Sequence, residues 1–217
     1  MGRVDATDRI ILRPAGRPVD GTVCLPGSKS LTNRALVLSA LARGTSLLES
    51  ALVADDTRQM TQALGSLGVD VLLDPARRRM TVRGCGGYWP TGEADVECGA
   101  AGTVLRFLTA ACTVGQGDYR LDGTPRMRAR PIGELVSALR GLGAGISYEA
   151  REGYCPLMVH ATGLRGGEVT FDRPVSSQFI SALLMAAPLA RRDVMIAVEG
   201  SLPSAPYVAM TLQAMEA

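Results

Sequence analysis

The chain has 217 residues, 47% of them hydrophobic and 20% charged, and its 23 Lys and Arg against 21 Asp and Glu leave a formal charge of +2. That length allows one large domain or two small ones. The interspersed, near-balanced charge argues against a nucleic-acid partner, no run approaches the ~18 apolar residues of a membrane span, and the N-terminus lacks the apolar core of a signal peptide, so a cytoplasmic protein with no membrane partner is expected.

Residues 1–20 stand outside the pattern that follows, with Ile10-Ile11-Leu12 their one strand-like run. From Gly21 onward a unit repeats. A strand over Gly21–Leu25 leads into a helix over Thr32–Ala42, then a strand over Ser46–Ser50. A second helix around Met60–Val69 ends in Leu-Gly, and two strands, Val69–Leu73 and Met80–Arg83, flank the turn Asp74-Pro75. The second unit repeats the order, with its second helix offset by about 75 residues. It has a strand over Ala94–Glu97, a helix over Thr103–Val114, a strand over Asp118–Leu121, a helix over Glu134–Ala144, and strands over Gly145–Glu149 and Leu157–His160. The third has a strand over Glu168–Phe171, a helix over Ser177–Ala190, a strand over Val194–Glu199 and a helix over Pro206–Met215. The expected fold is α/β, built from β-α-β-α-β-β units spanning 21–90, 91–165 and 166–217. The last unit lacks its hairpin, so a truncated chain is expected.

Five cysteines with no C-x-x-C pair, and a single histidine, His160, offer little for a zinc site or disulfide framework and make a Ser-His-Asp mechanism improbable. Acid–base chemistry falls to Lys, Asp, Glu or Tyr. The chain also has 22 Arg and one Lys, Lys29, which makes Lys29 a candidate for a place where a compact ammonium is needed.

The informative residues sit at the helix starts. Pro26-Gly27-Ser28-Lys29-Ser30 passes from strand to helix. Gly27 permits close backbone approach, free N–H groups face outward, and Arg34, one turn beyond Ser30, can fork onto a carboxylate. The Walker spacing G-x-x-x-x-G-K-S is absent. In the second unit Cys98-Gly99-Ala100-Ala101-Gly102-Thr103 is again strand, Gly-rich turn, helix, without the dinucleotide spacing. Arg126, Arg128 and Arg130 alternate between Pro125 and Pro131, either as the basic face of an edge strand or as a cluster aimed at a phosphate or carboxylate. Ser176-Ser177-Gln178 opens the third unit's first helix; an N-cap accounts for one serine only. Leu202-Pro203-Ser204-Ala205-Pro206-Tyr207 opens the last helix. If the units pack around a pseudo-threefold axis, these helix starts converge and focus their positive dipole ends on one anion-binding surface.

These residues together resemble the 5-enolpyruvylshikimate-3-phosphate synthase family, also called the 3-phosphoshikimate 1-carboxyvinyltransferases. The match runs through Pro-Gly-Ser-Lys-Ser-x-x-Asn-Arg-Ala-Leu (26–36), Asp-Asp-Thr (55–57), Ala-Gly-Thr (101–103) and Pro-Arg-Met-x-x-Arg-Pro-Ile (125–132). It continues through Ser-Ser-Gln-Phe-x-Ser-Ala-Leu-Leu-Met-Ala-Ala-Pro-Leu (176–189) and Ser-x-Pro-Tyr-Val-x-Met-Thr-Leu (204–212). The resemblance implies transfer of an enolpyruvyl group from phosphoenolpyruvate to 3-phosphoshikimate with release of phosphate, a step of aromatic amino-acid biosynthesis and the target of glyphosate, with no metal or cofactor. It implies a two-domain protein of which 21–217 is one domain, 1–20 packs with the missing second domain, and this half alone is inactive. By position, Lys29 is the catalytic residue between the two substrates. Ser30, Arg34, Ser176, Ser177, Gln178, Ser204 and Tyr207 join it in holding 3-phosphoshikimate. Gly102, Thr103, Arg126 and Gln178 meet phosphoenolpyruvate with it. Ala100 stands where many members have Asn, and Phe107 where Pro is frequent, which bears on the fit around Gly102. The other readings are a non-catalytic anion-binding module and a pseudoenzyme that regulates a complete synthase.

Overall fold

A computed structural model describes residues 11–217. Chain order runs α1 (Lys29–Leu41), β1 (Arg43–Leu48), α2 (Asp55–Ser66), β2 (Val71–Asp74), β3 (Arg79–Cys85), β4 (Glu93–Glu97), α3 (Gly102–Cys112), β5 (Gln116–Asp122), α4 (Pro125–Arg128), α5 (Gly133–Gly141), β6 (Gly145–Tyr148), β7 (Leu157–Thr162), β8 (Gly167–Asp172), α6 (Ser177–Ala186), β9 (Val194–Glu199) and α7 (Pro206–Glu216). The three expected units are visible as three sheets, ordered β1-β3-β2, β4-β5-β7-β6 and β8-β9.

The sheets share a plan. β4 runs parallel to β5, as β8 does to β9, because a helix crosses between the two strands of each pair. β3 and β7 are antiparallel to their neighbours, as a tight hairpin requires. Alternation sets the faces: on β5 Tyr119 and Leu121 turn inward while Gln116 and Asp118 face solvent, and on β7 Leu157, Val159 and Ala161 turn inward.

The helices form a closed ring. α2 packs on α1 and on α3 of the next unit, α5 on α3 and α6, and α7 on α6 and back on α1. This is the pseudo-threefold packing inferred from the repeat. At its centre α3 is buried along its whole length, which explains why Gly102-Thr-Val-Leu-Arg-Phe-Leu-Thr-Ala-Ala-Cys112 is apolar nearly all round rather than on one stripe. Cys98, Cys112 and Cys155 are buried thiols of this core, whereas Cys24 is exposed.

Four readings need correction. The strand over Gly21–Leu25 is not formed: Val19, Val23 and Leu25 are exposed, and among the described residues β1 pairs with β3 alone. An alternating pattern favours extended backbone, but a strand exists only where a hydrogen-bonded partner is in reach, and this segment does not reach β1. Ile10 lies outside the described residues, while Ile11 and Leu12 are exposed and form no strand. The helix begun at Ser177 ends at Ala186 and passes into a 3₁₀ turn, Ala187–Leu189, where Pro188 has no N–H to continue the ladder. Finally, the alternating arginines are not an edge strand. Pro125 opens the short helix α4, in which Pro at the first position loses no hydrogen bond.

Candidate functional site

Each unit delivers its helix start to the same side of the ring. Ser28 caps α1, its hydroxyl accepting from Leu31 N–H at 3.3 Å. A Cβ at Gly27 would run into the Ser50 carbonyl oxygen and the Leu52 nitrogen, so only glycine lets the chain pass here into the helix. Ser176 caps α6, accepting from Gln178 N–H at 3.3 Å. The starts of α3 and α7 have no side-chain cap, which leaves their N–H groups for solvent or a ligand.

Together these starts frame one open cleft of about 830 Å³. Lys29, Ser30, Arg34, Gly102, Thr103, Arg126, Ser176, Ser177, Gln178, Ser204 and Tyr207, the whole set picked from the sequence, line it. The lining adds Asp56, Ala100, Arg130, Val175 and Pro203. Among the described residues four cations, Lys29, Arg34, Arg126 and Arg130, face a single carboxylate, Asp56. Four converging positive helix ends add to this excess, so the cleft is a site for anions.

The side chains differ in what they have left to offer. Lys29 pairs with Asp56 at 2.8 Å while half its side chain remains exposed, so its ammonium keeps donors free. Arg34 is 1% exposed. Its Nε donates to Thr211 Oγ1 at 2.6 Å, Nη1 to the Ser30 carbonyl at 2.9 Å, and Nη2 to Ser181 Oγ at 3.0 Å and the Tyr207 carbonyl at 3.2 Å. Four of five donors are thus used, and one N–H on Nη1 remains. The expected fork onto a carboxylate is not available, because α7 and α6 occupy it. Burial holds the Arg34 guanidinium below its ordinary pKa, partly offset by Tyr207. Phe107 lies 5.2 Å beneath this guanidinium, so its influence passes through Arg34 rather than through Gly102.

Gly102 is crowded instead by Arg130, whose guanidinium carbon would be 2.9 Å from any Cβ there. Arg130 stood in the sequence only as part of the alternating arginine run, and the family resemblance assigned a ligand to Arg126 alone. Arg126 on α4 and Arg130, two residues past its end, both reach the cleft, while Arg128 turns away to a carboxylate, Asp122. Pro125 at a helix start was the signal for this. Asp56 was noted only as part of a motif, and Arg106, beneath the cleft, was not singled out at all. Arg106 is 7% exposed and donates from Nη1 to Gln178 Oε1 at 2.8 Å. Burial, then the nearby charge of Arg130, lower its pKa to about 10, against a smaller upward pull from Glu134.

His160 lies elsewhere. It bridges Asp118 (Nδ1 to Oδ1, 2.6 Å) and Ser147 (Nε2 to Oγ, 3.3 Å) across the solvent face of the second sheet. All three are exposed and none lines the cleft.

A family model described as EPSP synthase (3-phosphoshikimate 1-carboxyvinyltransferase) matches residues 14–217. A 3-phosphoshikimate 1-carboxyvinyltransferase of Sulfurovum sp. (strain NBC37-1) is 52% identical over 208 residues, covering 95% of this chain and 48% of the relative. That of Shewanella amazonensis is 50% identical over 209 residues, 96% of this chain and 49% of the relative. The chain thus spans about half the length of the curated relatives it matches. A solved EPSP synthase from Acinetobacter baumannii superposes with a TM-score of 0.74 at 24% identity, over 87% of this chain and 42% of that one, a likeness of fold.

Proposed function

Because the chain belongs to the EPSP synthase family, we propose that its cleft holds 3-phosphoshikimate and one side of phosphoenolpyruvate during enolpyruvyl transfer. The observation that carries this reading is the convergence of the helix starts and four cations on one cleft. Both substrates are anions, and a cleft of this sign and shape suits them.

In this reading Ser176, Ser177, Ser204 and Tyr207 take the shikimate phosphate. Ser30 and the remaining Nη1 donor of Arg34 take the carboxylate side, as a single hydrogen bond rather than a fork. Gln178 lies between the substrates. Gly102, Thr103 and Arg126, with Arg130 added from the geometry, take phosphoenolpyruvate. Lys29 stands where the two meet. The shikimate 5-hydroxyl gives up its proton as its oxygen bonds to C2 of phosphoenolpyruvate while C3 takes a proton, and the tetrahedral intermediate then loses phosphate from C2 and a proton from C3. Lys29 balances the negative charge on the attacking oxygen and on the departing phosphate.

These proton transfers need an acid and a base. Among the described residues the only carboxylate lining the cleft, Asp56, is tied to Lys29. This supports a division of labour in which residues 21–217 form one substrate-binding domain and a second domain supplies the proton-transfer groups and closes the site to water. This chain alone would bind without turning over. Among the described residues no helix is long and apolar enough to cross a membrane, and we place the enzyme in the cytoplasm, in aromatic amino-acid biosynthesis.

Calorimetric titration of 3-phosphoshikimate into the chain tests this. Saturable binding is expected, weakened about tenfold or more in Lys29→Ala and in Ser177→Ala as charge-assisted hydrogen bonds are lost. A folded chain that gives no heat, or variants that bind as well as the parent, would overturn it.

A further inference from the structure

We propose that Arg106 is a positioning residue that fixes which edge of the Gln178 amide faces the cleft, and that it thereby makes the start of α6 a surface of donors only.

Arg106 projects from the second turn of α3 into the gap between α6 and the segment after α4. Its Nη1 lies 2.8 Å from Gln178 Oε1 and 3.4 Å from Ser176 Oγ, and its Nη2 donates to the Pro131 carbonyl at 3.2 Å. The guanidinium sits 4.9 Å from the centre of the Phe179 ring. Among the described residues it forms no salt bridge. A buried cation is here hydrogen-bonded only to neutral groups and set against a ring face, and two of those partners, Ser176 and Gln178, line the cleft.

A guanidinium has donors and no acceptor, whereas a glutamine amide has one edge of each kind. Only Oε1 can lie against Arg106. Turning the amide over would set N–H against N–H in a buried place, at the cost of a charge-assisted hydrogen bond. The two Nε2 protons therefore point away from Arg106, on a residue that lines the cleft. The same logic applies to Ser176. Its oxygen accepts from Gln178 N–H and from Arg106, which uses both lone pairs, so its own O–H is left to donate outward. Arg106 thus converts two groups of mixed character into donors. Ligands that present oxygen acceptors (hydroxyl, carboxylate or phosphate) are selected, and ligands that present N–H groups at this position are refused.

The orientation stands on the geometry alone; the ligand used to read it rests on the function proposed above. The first arm needs no ligand. The side-chain amide of Gln178, assigned by its loss in Gln178→Leu, is followed by ¹H–¹⁵N NMR. An ordered pair of resonances is expected in the parent chain, retained in Arg106→Lys, which still offers donors, and collapsed toward free-glutamine positions in Arg106→Leu. The second arm is 3-phosphoshikimate affinity. Arg106→Leu and Gln178→Leu should each weaken it about tenfold, and the double variant no further, because both remove the same donor. Gln178→Glu leaves Arg106 in place and gives it a carboxylate. It should melt no lower than the parent yet bind more weakly, a split that a purely structural role does not produce. Unchanged Gln178 resonances in Arg106→Leu, or single-variant losses that add in full, overturn the proposal. A parent chain that does not bind 3-phosphoshikimate sinks the functional reading, and the first arm still decides the role of Arg106.

Discussion

Replacing Arg34 by Met should destabilise the protein without any ligand present. The guanidinium makes four hydrogen bonds, to Thr211, Ser30, Ser181 and Tyr207, and lies within 5.7 Å of the ring centres of both Phe107 and Tyr207. It ties α1 to α6 and α7, and so closes the helix ring. Hydrogen bonds to a charged group are worth about 1.5 kcal/mol each at the low end, or about 6 kcal/mol for the four. Against this stands the cost of holding a guanidinium out of water with no carboxylate beside it, several kcal/mol after relaxation. Taking that as about 3 kcal/mol leaves a net loss of about 3 kcal/mol. For a chain of this size each kcal/mol moves Tm by roughly 2–4 °C, so Arg34→Met should melt about 6–12 °C lower. Arg34→Lys, with fewer donors and no fork, should fall between the two. Circular dichroism melts at neutral pH read the shift. A Tm for Arg34→Met equal to or above the parent would mean that desolvation outweighs the four bonds. Arg34 would then be a residue retained for ligand and not for the fold, and the account of its spent donors would fail.

Two further outcomes follow from neighbouring geometry. Burial pushes the Asp122 carboxyl up, but hydrogen bonds from Arg128 and the Gly123 N–H and the charges of Arg128 and Arg120 more than offset it, and its pKa ends below the ordinary value. A depressed folded pKa stabilises above the unfolded value of about 3.9 and ceases to do so as pH falls through the folded one. Asp122→Asn should therefore cost about 2 kcal/mol at pH 6, with the gap to the parent closing in melts below about pH 4; a gap that persists unchanged at pH 2 contradicts the assignment. At Gly102, a methyl group would meet the far end of Arg130, a flexible side chain, at 2.8 Å. Gly102→Ala should fold normally and lose phosphoenolpyruvate affinity by about tenfold as Arg130 is displaced, while 3-phosphoshikimate titrates as in the parent; equal losses for both ligands would place Arg130 wrongly.

Much of this was legible one residue at a time. Lys29 as the only lysine, the Ser-Ser-Gln run at 176–178 and the Gly-rich turn before Thr103 each stand at a helix start, and helix starts are written locally, in caps, glycines and the onset of a 3.6 period. Arg130 and Asp56 escaped for a different reason. Their relevance depends on which way a short helix turns and on where α2 meets α1, and neither is a property of the local pattern. The Gly21–Leu25 strand failed for the converse reason: its pattern is local, but pairing is not, and among the described residues β1 pairs with β3 alone.

By itself, then, the amino-acid sequence determined the order of the elements, the three-unit repeat and the residue types at each helix start, because propensity, capping and periodicity act over a few residues. Tertiary structure alone decided how the side chains spend their donors. Arg34 reads as a ligand fork until α6 and α7 close on it, and Arg106 reads as an arginine in a buried helix until Gln178 arrives from 72 residues away. Hydrogen-bond capacity is finite, and only the folded packing says which groups have used it and which still face the cleft.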